Sequence, residues 1–135
     1  MPTPVIDIFA GPGGLGEGFS SLVDDDSRKL FRIALSIEMD QRAHKTLTLR
    51  SFFRQFDSNN IPNDYYDFIQ GKITLEKLYE NWPKESTAAK EEAWCARLGK
   101  VPDKYVDEKI DNALKGRKNW LLIGGPPCQA YSLGN

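Results

Sequence analysis

The chain predicts an α/β fold built on a parallel sheet, and three stretches carry that prediction. Val5-Ile6-Asp7-Ile8-Phe9 is a short apolar run that ends in a glycine-rich turn. Phe31-Arg32-Ile33-Ala34-Leu35-Ser36-Ile37 is a second run, closed by Glu38. Trp120-Leu121-Leu122-Ile123 is a third, continuous rather than alternating, as a strand buried on both faces reads. Segments with helical spacing lie between them, the pattern of strands joined by crossover helices. Strands are therefore expected near 4–9, 31–38 and 119–124, with a further short strand near 68–73.

The first strand runs into Ala10-Gly11-Pro12-Gly13-Gly14-Leu15-Gly16, and residues 14–23 continue as a helix. Gly11, Gly13 and Gly16 satisfy G-x-G-x-x-G between a strand and a helix. Glycine serves where the chain takes positive φ or where a ligand must approach the backbone closely. Unpaired amides at the helix start favour an anionic group. Asp24-Asp25-Asp26-Ser27 reads as a solvated turn. The second strand should then end in an acidic residue that accepts from ribose hydroxyls, and Glu38 follows Gly16 by 22 residues. Met39 comes next, suited to lie against a flat adenine face, and Asp40 caps a helix over 40–54 with Ala43, Leu47 and Arg50 along one side. The glycine loop with Glu38 predicts an adenosine-type ligand.

The middle of the chain is helical. Leu75, Leu78, Tyr79 and Trp82 fall at helical spacing behind a Thr74 cap. Residues 86–98 are rich in Ala and Glu and stop at Gly99. Asp103 caps a helix with Val106, Ile110, Ala113 and Leu114 on one stripe, closed by Gly116. Lys115, Arg117 and Lys118 read as cations at a helix end.

The third strand leads into Gly124-Gly125-Pro126-Pro127-Cys128-Gln129-Ala130-Tyr131-Ser132. Two prolines hold the backbone extended just before the thiol. Ligands of open α/β sheets bind beyond the carboxyl ends of the strands, so Cys128 is placed like a nucleophile. Other roles for this cysteine are a small buried hydrophobe, a disulfide with Cys95, or a dyad with His44, the single histidine. No Cys/His spacing suits a zinc site.

Taken together these residues resemble the cytosine-C5 DNA methyltransferase family. The resemblance rests on Asp7-x-Phe9-x-Gly11-x-Gly13-Gly14-x-Gly16, on Glu38, and on Pro127-Cys128-Gln129, in that order along the chain. It implies a Rossmann-like, S-adenosyl-L-methionine-dependent methyltransferase fold, of which residues 4–40 and 119–135 match best. It implies that the Cys128 thiolate adds to C6 of a flipped-out cytosine in double-stranded DNA, so that C5 takes the methyl group and S-adenosyl-L-homocysteine is the product. Phe9 and Met39 would contact the adenine, the Gly11–Gly16 backbone, including Gly13 and Gly14, would surround the methionine moiety, and Glu38 would accept from the ribose. Pro127 would border both pockets and Gln129 would support the active-site loop.

The same resemblance divides the chain into a cofactor-binding half over 1–55, a mostly helical insertion over 56–118 and a catalytic strand with its cysteine loop over 119–135. Only the first half of such a catalytic domain is represented. The family's short acidic motif after the third strand has no counterpart in Phe68-Ile69-Gln70-Gly71-Lys72-Ile73, and Glu80-Asn81-Trp82 does not replace the downstream Glu-Asn-Val motif whose glutamate protonates cytosine N3. The isolated chain is accordingly expected to show no turnover. Its last strand is expected to be an exposed sheet edge through which copies self-associate.

Composition sets the remaining bounds. With 135 residues, 40% hydrophobic and 27% charged, the chain suits one ordered domain rather than a disordered segment. No apolar run is long enough for a membrane helix or shaped like a signal peptide, and two cysteines suit a reducing cytosol, bacterial by analogy with restriction–modification enzymes. A net charge of −1 lacks the basic footprint of a complete nucleic-acid-binding unit. Two other functions fit parts of the pattern. A dinucleotide-dependent oxidoreductase accounts for the glycine loop and Glu38 but leaves Pro-Pro-Cys-Gln unexplained. A non-catalytic module derived from a methyltransferase accounts for the motifs without turnover.

Overall fold

A computed structural model describes residues 1–125. Its centre is a four-stranded parallel sheet in the order β3-β2-β1-β4, formed by β1 (Thr3–Ile8), β2 (Phe31–Glu38), β3 (Ala93–Cys95) and β4 (Leu121–Gly124). The α/β class and all three expected strands are present. Strand order runs outward from β1 to β2 and β3, then reverses to place β4 on the other side of β1. Such a reversal opens a crevice at the carboxyl ends of the two strands that flank it.

The central strands are apolar because both their faces are covered. One face packs Ile6, Leu35 and Ile37 against Leu114, with Val106, Ile110 and Ala113 alongside. Those four helical residues come from α6 (Asp103–Leu114), the stripe that the sequence predicted. On the other face lie α1 (Gly14–Ser20) and α2 (Gln41–Arg54). A bulge at Val5/Ile6 shifts the β1–β2 register, so Asp7 stands beside Ser36 and Ile8 beside Ile37.

Three helices fill the long passage from β2 to β3: α3 (Asn63–Ile69), α4 (Leu75–Asn81) and α5 (Pro83–Glu92). They wrap a satellite core in which Phe52 of α2 meets Leu78 and Ala89, edged by Phe56, Phe68, Tyr79 and Trp82. Aromatic rings meet edge-on there, Phe52 with Tyr79 at 5.0 Å and Phe56 with Trp82 at 5.4 Å. Asp64 ties the group together by accepting from Asn81 and from the Trp82 indole, both at 3.1 Å.

Several expected elements differ. The stretch 68–73 is no strand: Phe68 and Ile69 end α3, and Gly71 turns the chain at φ 77. Phe68 and Ile73 pack against the satellite core, while Ile69 is exposed. The helix expected over 86–98 starts earlier, at Pro83, and stops at Glu92, where Ala93 turns extended and enters β3. Asp103 is the first residue of α6 rather than its cap; Pro102 holds the cap position with no side-chain bond. Helix α1 ends at Ser20 rather than 23, because Val23 bridges Lys29 across the acidic turn. Thr74 does cap α4, accepting from the Lys77 amide at 3.1 Å.

Candidate functional site

Two loops meet where β1 and β2 end. The β1 chain turns at Phe9, a non-glycine residue at φ 51, while the Ala10 amide still donates to the Ile37 carbonyl at 3.0 Å. Gly11 follows at φ 59 and Gly13 at φ 95, which makes Gly13 the left-handed residue from which α1 starts. A Cβ at Gly13 would stand 2.9 Å from the Leu47 Cδ1 of α2, so helix α2 packs against bare backbone there. At Gly11 and Gly14, by contrast, a Cβ would meet nothing within 4 Å. The loop backbone is therefore supported from behind and open in front.

Glu38 fastens this loop. Its Oε1 accepts from the Gly11 amide at 3.0 Å and its Oε2 from the Asp40 amide at 2.9 Å. A carboxylate offers about four lone-pair directions, so each oxygen keeps one for a further donor. Phe9, at the end of β1, and Met39, directly after Glu38, are 37% and 54% exposed. Asp40 caps α2 as expected, its Oδ2 accepting from the Ala43 amide at 2.8 Å.

The unforeseen strand β3 completes the rim. The Ala96 amide donates to the Glu38 carbonyl at 3.1 Å, and the exposed thiol of Cys95 faces the Met39 carbonyl at 3.8 Å. A cavity of about 610 Å³ lies between the turn after β2 and the segment after β3, lined by Met39, Asp40, Gln41, Arg42, Cys95, Ala96 and Arg97. No carboxylate follows β3; Arg97 stands there instead. A larger cavity, about 770 Å³, opens around Phe31, Arg32 and Arg54, at the far end of β2 from Glu38 and away from the glycine loop.

Beneath the loop sits an isolated acid. Asp7 is 1% exposed, and neither carboxylate oxygen has a hydrogen-bond partner among the described residues. A Cβ on Gly16 would approach its Oδ2 to 3.0 Å, so the glycine leaves room for the carboxyl under α1. Burial pushes the Asp7 carboxyl up to about 6, opposed by the positive charge of Arg54.

The remaining sequence candidates are distributed as follows. Phe9, Gly11, Gly13, Gly14, Gly16, Glu38 and Met39 come together at one end of the sheet, whereas Pro127, Cys128 and Gln129 lie outside the described residues. His44 binds the Ala93 carbonyl through Nε2 at 2.8 Å, tying α2 to β3. A carbonyl only accepts, so that nitrogen carries a proton and is committed to the fold. Lys115, Arg117 and Lys118 precede the start of β4, at the opposite end from the glycine loop. Sequence reasoning missed the approach of Gly124 to β1, where a Cβ would fall 2.6 Å from the Ile8 carbonyl oxygen. The continuous apolar run ending in glycine was its only signal. Between residues 56 and 92 the chain carries eight acidic and four basic residues, a balance that disfavours phosphate contact by helices α3 to α5. Among the described residues no group of three His, Cys, Asp or Glu is arranged to hold a metal, and no helix is long and apolar enough to cross a membrane.

Neither a family model nor a solved structure matches the chain. The type II methyltransferase M.Bpa9945I of Bacillus paralicheniformis does, at 27% identity over 146 aligned positions that take in 96% of this chain. The chain spans about a third of that relative's length, 31%. The protein is thus an α/β chain whose sequence is similar to one part of a methyltransferase.

Proposed function

We propose that this chain forms the S-adenosyl-L-methionine site and the nucleophile loop of a cytosine-C5 DNA methyltransferase. The observation that carries the reading is the Glu38 carboxylate, which closes the glycine loop through Gly11 and keeps an unused lone pair on each oxygen at the carboxyl end of the sheet. The residues present fit such a cofactor. Glu38 would accept from the ribose hydroxyls, Phe9 and Met39 would border the adenine, and the open side of Gly11 and Gly14 would admit the methionine moiety. When bound, this cofactor supplies an electrophilic methyl group. On this reading Cys128 adds as thiolate to C6 of an extruded cytosine in duplex DNA, which makes C5 nucleophilic. The thiolate leaves C6 again as the C5 proton is lost. By the same resemblance Pro127 would border both pockets and Gln129 would support the active-site loop. The similarity to a type II methyltransferase supports this reading.

Calorimetric titration of the chain with S-adenosyl-L-methionine, with NAD as control, tests the cofactor. Selective binding of the sulfonium compound is expected; selective binding of NAD would replace the reading with a dinucleotide-dependent oxidoreductase. For the chemistry, a preparation competent in methyl transfer should be trapped covalently on DNA containing 5-fluorocytosine. Cys128→Ser should abolish that adduct, and an adduct that persists in the variant removes the cysteine from the mechanism.

A further inference from the structure

We infer that Gly124 sets the distance between the glycine loop and the cysteine loop, a positioning residue for the methyl transfer proposed above, on whose reading of the two loops this rests. In the parallel pairing of β1 with β4, Gly124 stands opposite Ile8, the last residue of β1. A Cβ at Gly124 would fall 2.6 Å from the Ile8 carbonyl oxygen, 2.8 Å from its Cγ1 and 3.4 Å from its carbonyl carbon. Two of those three atoms are backbone, which cannot swing aside as the end of a flexible side chain does. Gly124 is not among the residues at positive φ. Its missing side chain therefore serves space and not conformation, the use of a strand glycine where another backbone comes close.

Both loops begin at this contact. Ile8 is followed by Phe9, where the chain turns into the glycine loop, and Gly124 by the short step to Cys128. The two strands are not equally free to yield. β1 has a neighbour on either side. Its end is held to β2 by the Ala10 amide on the Ile37 carbonyl at 3.0 Å, and by the Gly11 amide on Glu38 at 3.0 Å. β4 has a single neighbour among the described residues. A methyl group at position 124 therefore moves β4 rather than β1, and carries the start of the cysteine loop away from the glycine loop. Group transfer is steeply sensitive to such a shift, about a hundredfold in rate for 1 Å. Gly125 supplies the contrast, since a Cβ there would meet nothing within 4 Å among the described residues.

The test compares the 135-residue wild type with Gly124→Ala and Gly125→Ala. Calorimetry gives the Kd for S-adenosyl-L-homocysteine, and peptide mass mapping follows alkylation of Cys128 by iodoacetamide with and without that compound. At a concentration about ten times Kd, the bound compound should slow alkylation of wild type by about tenfold, as its occupancy dictates. Gly125→Ala should behave as wild type. Gly124→Ala should bind within about threefold of the wild-type affinity, because the glycine loop and Glu38 are untouched, yet lose the slowing. Amide hydrogen exchange of Gly124→Ala should rise over 121–124 and stay unchanged over 3–8 and 31–38. Slowing retained in Gly124→Ala, slowing lost equally in Gly125→Ala, or affinity lost in Gly124→Ala overturns the assignment. Exchange that rises throughout the chain also overturns it, since Gly124 would then be a requirement of the fold and not of the spacing. A wild type that binds the compound but leaves Cys128 unprotected overturns this assignment alone. A wild type that does not bind it overturns the cofactor reading as well.

Discussion

Two glycines in one loop are left-handed for different reasons, and their substitution should separate those reasons. Gly11→Ala meets open space, so its cost is the positive φ alone, about 1 kcal/mol. Gly13→Ala adds a methyl 2.9 Å from Leu47 at φ 95, and should cost about 2–3 kcal/mol as α2 is pushed outward. Urea midpoints compare them, and equal costs would show that α2 does not brace the loop. Asp7 gives the residue scale its pH dependence. Its carboxyl is raised from 3.8 to about 6 by burial, so between these values the native chain holds a proton that the unfolded chain has released. Stability therefore falls as pH rises through that window, by about 3 kcal/mol in all, and the loss is constant above it. Asp7→Asn removes the titration. The stability of the variant relative to wild type should rise between pH 4 and 6 and stay level to pH 8, read from urea unfolding at each pH. A difference independent of pH would mean that Asp7 titrates normally in the fold.

Elements are joined here by a few side chains whose value depends on burial. Arg54, at the end of α2, pairs with Glu17 of α1 and, at 2.8 Å, with Glu92 of α5. Its side chain is 17% exposed and that of Glu92 15%. Removing the guanidinium leaves a mostly buried carboxylate without its partner, so Arg54→Ala should cost about 3 kcal/mol. Arg28 also pairs twice, with Asp24 and Asp26, but at 74% exposure inside one turn, and Arg28→Ala should shift the thermal midpoint hardly at all. Comparable losses from the two variants would contradict the burial argument. This scale is also where the sequence was most and least readable. β1, β2 and β4 were legible because their apolar runs are bounded by glycine or by Glu38. Both faces of β1 and β2 are filled, whereas β4, read as buried on both faces, leaves Leu122 exposed because it is an outer strand among the described residues. β3 was not, because three residues, Ala93, Trp94 and Cys95, continue an Ala- and Glu-rich helical pattern; only pairing with Ser36, Ile37 and Glu38 makes them a strand. At the site, the glycine loop and Glu38 were legible through their motif and spacing. The bonds from Glu38 to Gly11 and Asp40, and the rim that Ala96 and Arg97 add, depend on distant segments meeting and leave no local signature.

At the scale of the molecule, the order of the strands decides which surface invites partners. Among the described residues β3 and β4 are the outer strands, each with a single neighbour. β3 has three residues, short enough to offer little to an incoming strand, as sheet edges commonly do. β4 is less guarded. Leu122 is 53% exposed and Trp120 just before the strand 39%, so apolar side chains and unpaired backbone groups lie on the same edge. An edge of this kind templates pairing with another chain. The chain should therefore sediment faster as concentration rises, by association of copies along β4. Leu122→Lys puts a charge at the centre of the strand while leaving Leu121 and Ile123 in their half-buried places, and should restore a monomer. Analytical ultracentrifugation over a wide concentration range reads both. A wild type that stays monomeric throughout shows that this edge is protected. Association unchanged in Leu122→Lys assigns the contact to another surface.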